Sequence, residues 1–514
     1  VLPSATSLVS ESTLEAPPIA ESAVPEHERP RAPEPWTLRA FMREHPWWTV
    51  AFVIGVLSTI LVVYARTRPS YDAYGWLVWG YQTLHLNLDL GGAPSWKPLP
   101  FLFTVPYSVV GHYALWLWMI TAVAVSLAGS VFAGRIAYRL VGGAAPERRY
   151  AAIAAAVFAG AAVLGLEDYM HYILSAQSDP MIVTFCLAGI DCHLSGRRRW
   201  AFAFGVLAAL GRPESFPFVG LYAIWAWRTI PSMRWFIYAG LAVIAIGWFG
   251  IPVLSGNQPF IAGRLAELSP RALKHGKIIG TIDRFIELQY LPVWLAALFA
   301  VALAAIRRNW LVLALAAGAA LWVIVEIAFA LHGWPGLPRY MFEAAGVAAV
   351  LAGVGVGWVL LEAPRLRRGF PRWVGAPVVI VLVAALVPSA LARLRTERTD
   401  LRHERTRTHE ISMLQTTINV LGGQRHIRNC GEPVSSVEWV SALAWMVHMN
   451  VGFVGHKPSF ERHQRYPIVL FTPLARGWKV LPWHTHPWQV ARCRGLNAEY
   501  VVTRRHPGGV LVRR

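Results

Sequence analysis

The chain has 514 residues, 55% of them apolar and 15% charged, with 24 tryptophans and a positive mean hydropathy. So little charge over so many long apolar runs excludes a soluble domain of this size. The net charge of +19 is dispersed in short basic clusters between apolar runs, which argues against a nucleic-acid-binding block and suits membrane topology, anionic lipid and anionic lipid-linked substrates.

Residues 1–40 are rich in Pro, Glu, Ser and Ala and have no apolar core, so a disordered cytoplasmic tail is expected there rather than a signal peptide. Apolar stretches of about 17 to 25 residues, each long enough to cross a bilayer, then recur from Trp47 to the 390s. Spans are expected near 47–65, 113–138, 150–166, 178–195, 200–212, 216–228, 234–254, 290–306, 309–331, 340–361 and 373–393. Short basic loops stay cytoplasmic. The clusters that mark them are Arg135/Arg139/Arg148/Arg149, Arg197–Arg199, Arg228/Arg234, Arg307/Arg308 and Arg365/Arg367/Arg368/Arg372. Arg29, Arg31, Arg39 and Arg43 put the N-terminus on the same side, and eleven spans leave the C-terminal region outside. Pro213 and Pro217 break the run 200–228, which predicts two short helices meeting inside the protein. A single crossing there would reverse everything downstream and put the basic loop 255–289 inside. The expected fold is an all-α polytopic membrane protein with about 11 transmembrane helices over residues 41–395, followed by a small α/β extracytoplasmic domain over 396–514.

With this topology, ionisable groups gather on the outer side. RPSYDAYGWLVWGYQT places Asp72 beside an aromatic surface, as a solvated acid, a helix cap or a catalytic base. SWKPLP places Lys97 before a proline pair, outside any regular helix, as a snorkelling lysine or a phosphate ligand. GLEDYMHYILSAQSDP holds Glu167, Asp168 and His171, with Asp179 starting the next helix. The adjacent acids suit acceptor hydroxyls, or a divalent cation without regular ligand spacing. In RPE, Arg212 and Glu214 can offset part of each other's burial by pairing, a structural role that suits Glu214 and leaves Arg212 open to a structural or a functional one. In GLPRY, Arg339 either pairs with Glu343 one turn later or grips a phosphate. The loop 255–289 could form an amphipathic interfacial helix.

Two apparent motifs lack the context they need. GVGVG, residues 353–357, lies in an apolar helix, where close helix packing explains it better than nucleotide binding. HTH, residues 484–486, has no further ligand nearby to complete a metal site. In the C-terminal region, 401–421 and 435–450 read as helices, and YPIVLFTP, AEYVVTRR and GGVLVRR as strands, the last two joined through a Pro-Gly-Gly turn. Cys186 and Cys192 lie in an apolar run as inert thiols, while a disulfide between Cys430 and Cys493 is plausible if their region is extracytoplasmic.

Taken in order, Asp72, Lys97-Pro98, Glu167-Asp168, Arg212-Pro213-Glu214 and Pro338-Arg339-Tyr340 resemble the GT-C superfamily of integral-membrane glycosyltransferases, which use polyprenyl-phosphate sugars. The resemblance covers roughly residues 45–395; the C-terminal region resembles the appended modules of actinobacterial envelope enzymes in placement alone. It implies an inverting transfer of mannose or arabinofuranose to an envelope glycan, glycolipid or protein acceptor on the outer face of the cell membrane. Asp72 would be the base; Lys97, Arg339, Arg212 and Tyr340 would hold the donor phosphate; and Glu167, Asp168, His171, Trp76 and Trp96 would line the acceptor side, with Trp79 beside them. No cofactor is expected. The first loop carries Asp72 without a second adjacent acid, which puts metal dependence in doubt.

Two other classes of function fit parts of the sequence. A transporter or flippase of lipid-linked substrates needs polar groups along a path from both sides, for which Glu326 within a span is a candidate. A non-catalytic scaffold would bind envelope glycan through Trp439, Trp445, Trp478, Trp483 and Trp488.

Overall fold

The computed structural model describes residue 42 and residues 44–92, 96–362, 375–463 and 466–513. The expected tail and the expected basic loop 365–372 lie outside them. The chain divides into two units, Val1–Ala51 and Phe52–Arg514. The described part of the first is largely the opening of helix α1 (Pro46–Ala65).

Prolines and glycines punctuate the apolar runs into helices. In chain order these are α2 (Tyr71–Leu84), α3 (Pro98–Tyr107), α4 (Ala114–Val141), α5 (Arg149–Leu164), α6 (Tyr169–Leu174), α7 (Asp179–Leu194), α8 (Arg198–Gly211), α9 (Phe216–Thr229) and α10 (Arg234–Ala245). The series continues with α11 (Lys277–Ile286), α12 (Leu291–Arg307), α13 (Trp310–Leu331), α14 (Phe342–Glu362), α15 (Gly375–Val420), α16 (Gly423–Cys430) and α17 (Val440–Val447). Among the described residues, six helical segments are long and apolar enough to cross a membrane, or seven if the α11–α12 pair, bent by 97°, forms one span. The protein is a multi-pass membrane protein. Helices α5, α7, α8 and α9, of 14 to 16 residues, are shorter than a bilayer crossing. The break between α8 and α9 falls at Arg212–Ser215, so residues 200–228 form two short helices.

Helix α14 is the centre of the bundle, packed against α4, α5, α7, α12 and α13. Its Ala- and Gly-rich sequence explains how. A Cβ on Gly355 would run into the Ala296 carbonyl, and one on Gly353 into the Ala155 carbonyl, so the GVGVG run lets backbones approach closely.

Helix α15 has 46 residues, a length of about 69 Å at 1.5 Å per residue, more than twice a hydrocarbon core. Its first half exposes Val378, Ile380, Val381 and Val387. The region expected as a span and the region expected as a separate helix are one element. In its polar half, the Arg405 guanidinium donates to the Ala65 carbonyl at 2.8 Å and the Tyr64 carbonyl at 3.0 Å, closing the C-terminal end of α1. Arg407 donates to the Pro69 carbonyl at 2.9 Å.

Beyond α15, five strands form one sheet in the order β1 (Glu432–Val434), β2 (Ile468–Leu474), β3 (Gly477–Trp483), β4 (Ala498–Val501) and β5 (Val510–Arg513). β1 runs parallel to β2 and the other neighbours are antiparallel. Trp478 Nε1 donates to the Glu410 carbonyl at 2.9 Å, fastening the sheet to α15. Cys430 and Cys493 are joined by a disulfide, with Cα atoms 4.9 Å apart.

Candidate active site

The three cations of the site all sit beside prolines. A residue before proline is pushed out of the helical region, and Lys97 (φ −141°, ψ 119°) and Arg212 (φ −149°, ψ 131°) are both extended. Each ends or begins a helix there instead of lying on one. Arg339 follows Pro338 in a 3-10 turn leading into α14. The two acids that face them, Asp72 and Asp179, lie in the first turns of α2 and α7, where the helix dipole favours negative charge.

Asp179 is the hub. Lys97 Nζ lies 3.2 Å from its Oδ1 and also donates to Ser178 Oγ at 3.4 Å. Arg212 pairs with the same oxygen, and Arg339 Nη1 stands 4.0 Å from Oδ2. Arg339 Nη1 also faces Asp72 Oδ2 at 3.7 Å. Asp179 is fully buried, whereas Asp72, Lys97 and Arg339 keep 22%, 13% and 15% of their side-chain surfaces open. The accessible chemistry of the cluster is therefore two cations standing on a buried acid, with one carboxylate facing the second of them.

Arg212 is different. It is 3% exposed and ringed by Asp179, by Glu214 at 3.4 Å and by Glu343 at 3.9 Å. A lone guanidinium at this depth would cost about 3 kcal/mol on insertion scales, and these carboxylates offset that. Its plane lies 3.9 Å from the Tyr340 ring centroid, with Arg339 5.6 Å away from the same ring. Tyr340 thus has both guanidinium groups within cation–π reach of its ring. Glu343 faces Arg212, so the option of an Arg339–Glu343 pair gives way to Arg339 with Asp72 and Asp179. Burial pushes the Lys97 ammonium below its ordinary range; Asp179 opposes this, and Arg212 and Arg339 push the same way as burial.

The second outer loop divides. Tyr172 carries the Arg339 guanidinium 5.5 Å from its ring centroid, and the His171 ring stands 5.6 Å from Tyr172. That places His171 one ring removed from Arg339. Glu167 pairs instead with Arg393 of α15, and Asp168 takes a left-handed backbone (φ 57°) at the start of α6. Burial raises the Glu167 carboxyl above its ordinary range, with Arg393 opposing. Among the described ion pairs, neither acid joins the Asp72 cluster.

The tryptophans are core residues as much as lining. Trp76 and Trp96 are each 1% exposed. Trp76 sits under Lys97, with Nζ 5.7 Å from its ring centroid. Trp96 donates from Nε1 to the Gly247 carbonyl at 3.0 Å and packs on Trp79 and Phe101. An acceptor sugar finds no open face on Trp96, because its edge is bonded and its faces are covered.

Beside Glu343 and Ser215 opens a slot of about 390 Å³, walled by apolar residues of α7, α8, α9, α13 and α14. His193 and Tyr222 stand at another part of its wall, with His193 Nδ1 and Tyr222 Oη 3.3 Å apart. Glu326, fully buried in α13, interacts with Glu214, Arg212 and Glu343. Among the described residues, no group of three or more His, Cys, Asp or Glu side chains is arranged to hold a metal ion. His484 and His486 of the HTH run hydrogen-bond locally, to the Arg462 carbonyl and within a capping box with Gln489.

Asp179 is the site residue that sequence patterns do not single out as functional. Its local signal, an acid before proline at a helix start, is that of an ordinary cap; what distinguishes it is the convergence of Lys97, Arg212 and Arg339 from three separate segments.

No protein-family model matches the chain, and no curated protein matches it. Among solved structures it is similar to ArnT from Cupriavidus metallidurans. In the apo state of that protein the TM-score is 0.49 at 15% identity, over 91% of this chain and 98% of that one. With undecaprenyl phosphate bound to ArnT the TM-score is 0.46 at 16% identity, with the same coverage.

Proposed function

We propose that this protein is a GT-C-type glycosyltransferase that moves a sugar from a polyprenyl-phosphate donor to a hydroxyl of an envelope acceptor, on the outer face of the membrane. The observation that carries the proposal is the meeting of Lys97 and Arg339 on the buried Asp179, with Asp72 facing Arg339, and with Asp72, Lys97 and Arg339 each keeping part of its surface open.

In the proposed reaction, the acceptor oxygen attacks the anomeric carbon and its proton passes to an Asp72 carboxylate oxygen. The bond from the anomeric carbon to the phosphate oxygen breaks, and polyprenyl phosphate leaves with the electron pair. Charge developing on that phosphate falls between Lys97 and Arg339. Attack from the face opposite the leaving group inverts the anomeric centre. Asp179 positions both cations, and Arg212 with Tyr340 forms the floor beneath them. In this scheme side-chain cations supply the charge stabilisation, and no divalent ion takes part. The apolar slot beside Glu343 and Ser215 suits an isoprenoid chain. Mannose and arabinofuranose are the proposed sugars, and an extracytoplasmic position for residues 396–514 belongs to the same proposal.

A transfer assay with purified protein and a panel of radiolabelled polyprenyl-phosphate sugars tests this. One donor is expected to support transfer, and Asp72→Asn to reduce it by about 10²- to 10⁴-fold. Full transfer by Asp72→Asn, or lipid transport by native protein without transfer from any donor, would sink the proposal.

A further inference from the structure

Two adjoining cavities of about 640 and 190 Å³ lie where α2 and α15 meet α17, and both have Tyr81 and His448 in their walls. The Tyr81 ring packs 4.2 Å from the His85 ring and 4.7 Å from the His448 ring, centroid to centroid. The larger cavity takes Gln415, Asn419 and Gln424 from the C-terminal region, and the smaller takes Gln82 from α2. Among the described residues, no Asp, Glu, Lys or Arg lines either one. In a chain of net charge +19, a cleft lined by aromatic rings, amides and the imidazoles of His85, His112 and His448 offers neutral hydrogen-bonding groups in place of the Lys and Arg that a phosphate, a nucleotide or an acidic lipid would call for.

Its chemistry matches a neutral polyhydroxyl chain. Amide side chains both donate and accept, as a run of sugar hydroxyls requires. Aromatic faces carry partial negative charge, which the C–H face of a sugar ring complements. Gln82 adds an independent sign: it is 5% exposed, and its Oε1 is buried without a hydrogen-bond partner among the described residues. Such an acceptor is costly to leave unmade.

The cleft is also tied to the chemistry. Tyr81 and Asp72 lie on the same helix, nine residues apart, or about 14 Å along its axis. We propose that this cleft is a subsite for the non-reacting part of a neutral glycan acceptor, holding the chain at Tyr81, Gln82, Gln415, Asn419 and His448 while its end reaches Asp72. The proposal rests on the glycosyltransferase reading for the identity of the ligand as acceptor, and the cleft itself is tested by binding alone.

The test uses full-length Asp72→Asn protein in nanodiscs, where no turnover blurs binding, with linear manno- and arabino-oligosaccharides as probes and saturation-transfer NMR as readout. One probe class is expected to bind, with Gln415→Ala/Asn419→Ala weakening it by about tenfold, the loss of one or two neutral hydrogen bonds. Absence of binding by both probes, or unchanged affinity in the double variant, overturns the proposal. Should that variant fail to give a monodisperse protein, Asn419→Asp at its exposed position carries the same criterion. Retained transfer by Asp72→Asn would sink the catalytic reading yet leave an observed glycan subsite standing, so the two failures are distinguishable.

Discussion

Arg339 Nη1 lies 3.7 Å from Asp72 Oδ2, so the carboxylate proposed as base and the guanidinium proposed as phosphate ligand already face each other. Such a pair gives Arg339 somewhere to turn from when a phosphate arrives. Arg339→Ala is expected to raise the donor KM by about 10- to 100-fold, the worth of a charge-assisted hydrogen bond. Arg339→Lys should recover only part, since an ammonium lacks the planar fork. Steady-state kinetics in donor concentration decide this, and an unchanged donor KM in Arg339→Ala would remove Arg339 from the phosphate site.

Asp179 supports that geometry without touching the reacting atoms in the scheme. It is fully buried and faces Lys97, Arg212 and Arg339. Asp179→Asn leaves these cations with less countercharge inside the bundle, and breaking a buried pair from one side costs about 3–5 kcal/mol. The expected result is a marked drop in melting temperature in detergent together with a weaker donor KM. Asp72→Asn, at a half-buried position, should lower transfer without a comparable drop.

Gly355 tests the packing of α14. A Cβ there meets the Ala296 backbone, which cannot rotate away as a side chain would. Gly355→Ala should force α12 and α14 apart at a cost of about 1–3 kcal/mol, read as reduced thermal stability. Gly318, with nothing near its Cβ direction, is the control, where alanine should be tolerated.

These contrasts also explain what the sequence could disclose. Lys97-Pro98, Arg212-Pro213 and Pro338-Arg339 are legible because proline dictates backbone shape locally, whatever the tertiary fold. The GVGVG run is legible for a similar reason, since small residues at helical spacing have few uses besides close packing. Asp179 is not, because its partners come from segments 82, 33 and 160 positions away in sequence, and no local pattern records their meeting. At sequence level helix α15 divides into an apolar span to 393 and a polar helix from 401, since the charged stretch between them has no apolar stripe to give a helical period. Its continuity depends on tertiary anchors such as Arg405 on the α1 carbonyls. Strand β3, GWKVLPW, carries a Gly, a Lys and a Pro that weaken its strand signal, and it forms because β2 and β4 flank it on both sides.

Lys97 gives the site a pH signature. Burial is the largest influence on its ammonium, with Arg212 and Arg339 adding to the effect and Asp179 opposing, and the net shift is below the ordinary lysine value of 10.5. The protonated form is the one that attracts phosphate, so its contribution to donor affinity is complete below the depressed pKa and is lost as pH rises through it. Bound phosphate adds negative charge beside the ammonium and raises the pKa again, so the alkaline limb of kcat should lie above that of kcat/KM. Lys97→Arg keeps its charge throughout this range and should move the kcat/KM limb to higher pH. Coincident limbs in the native and Lys97→Arg proteins would mean that another group sets the alkaline boundary, and Lys97 would lose its place at the phosphate.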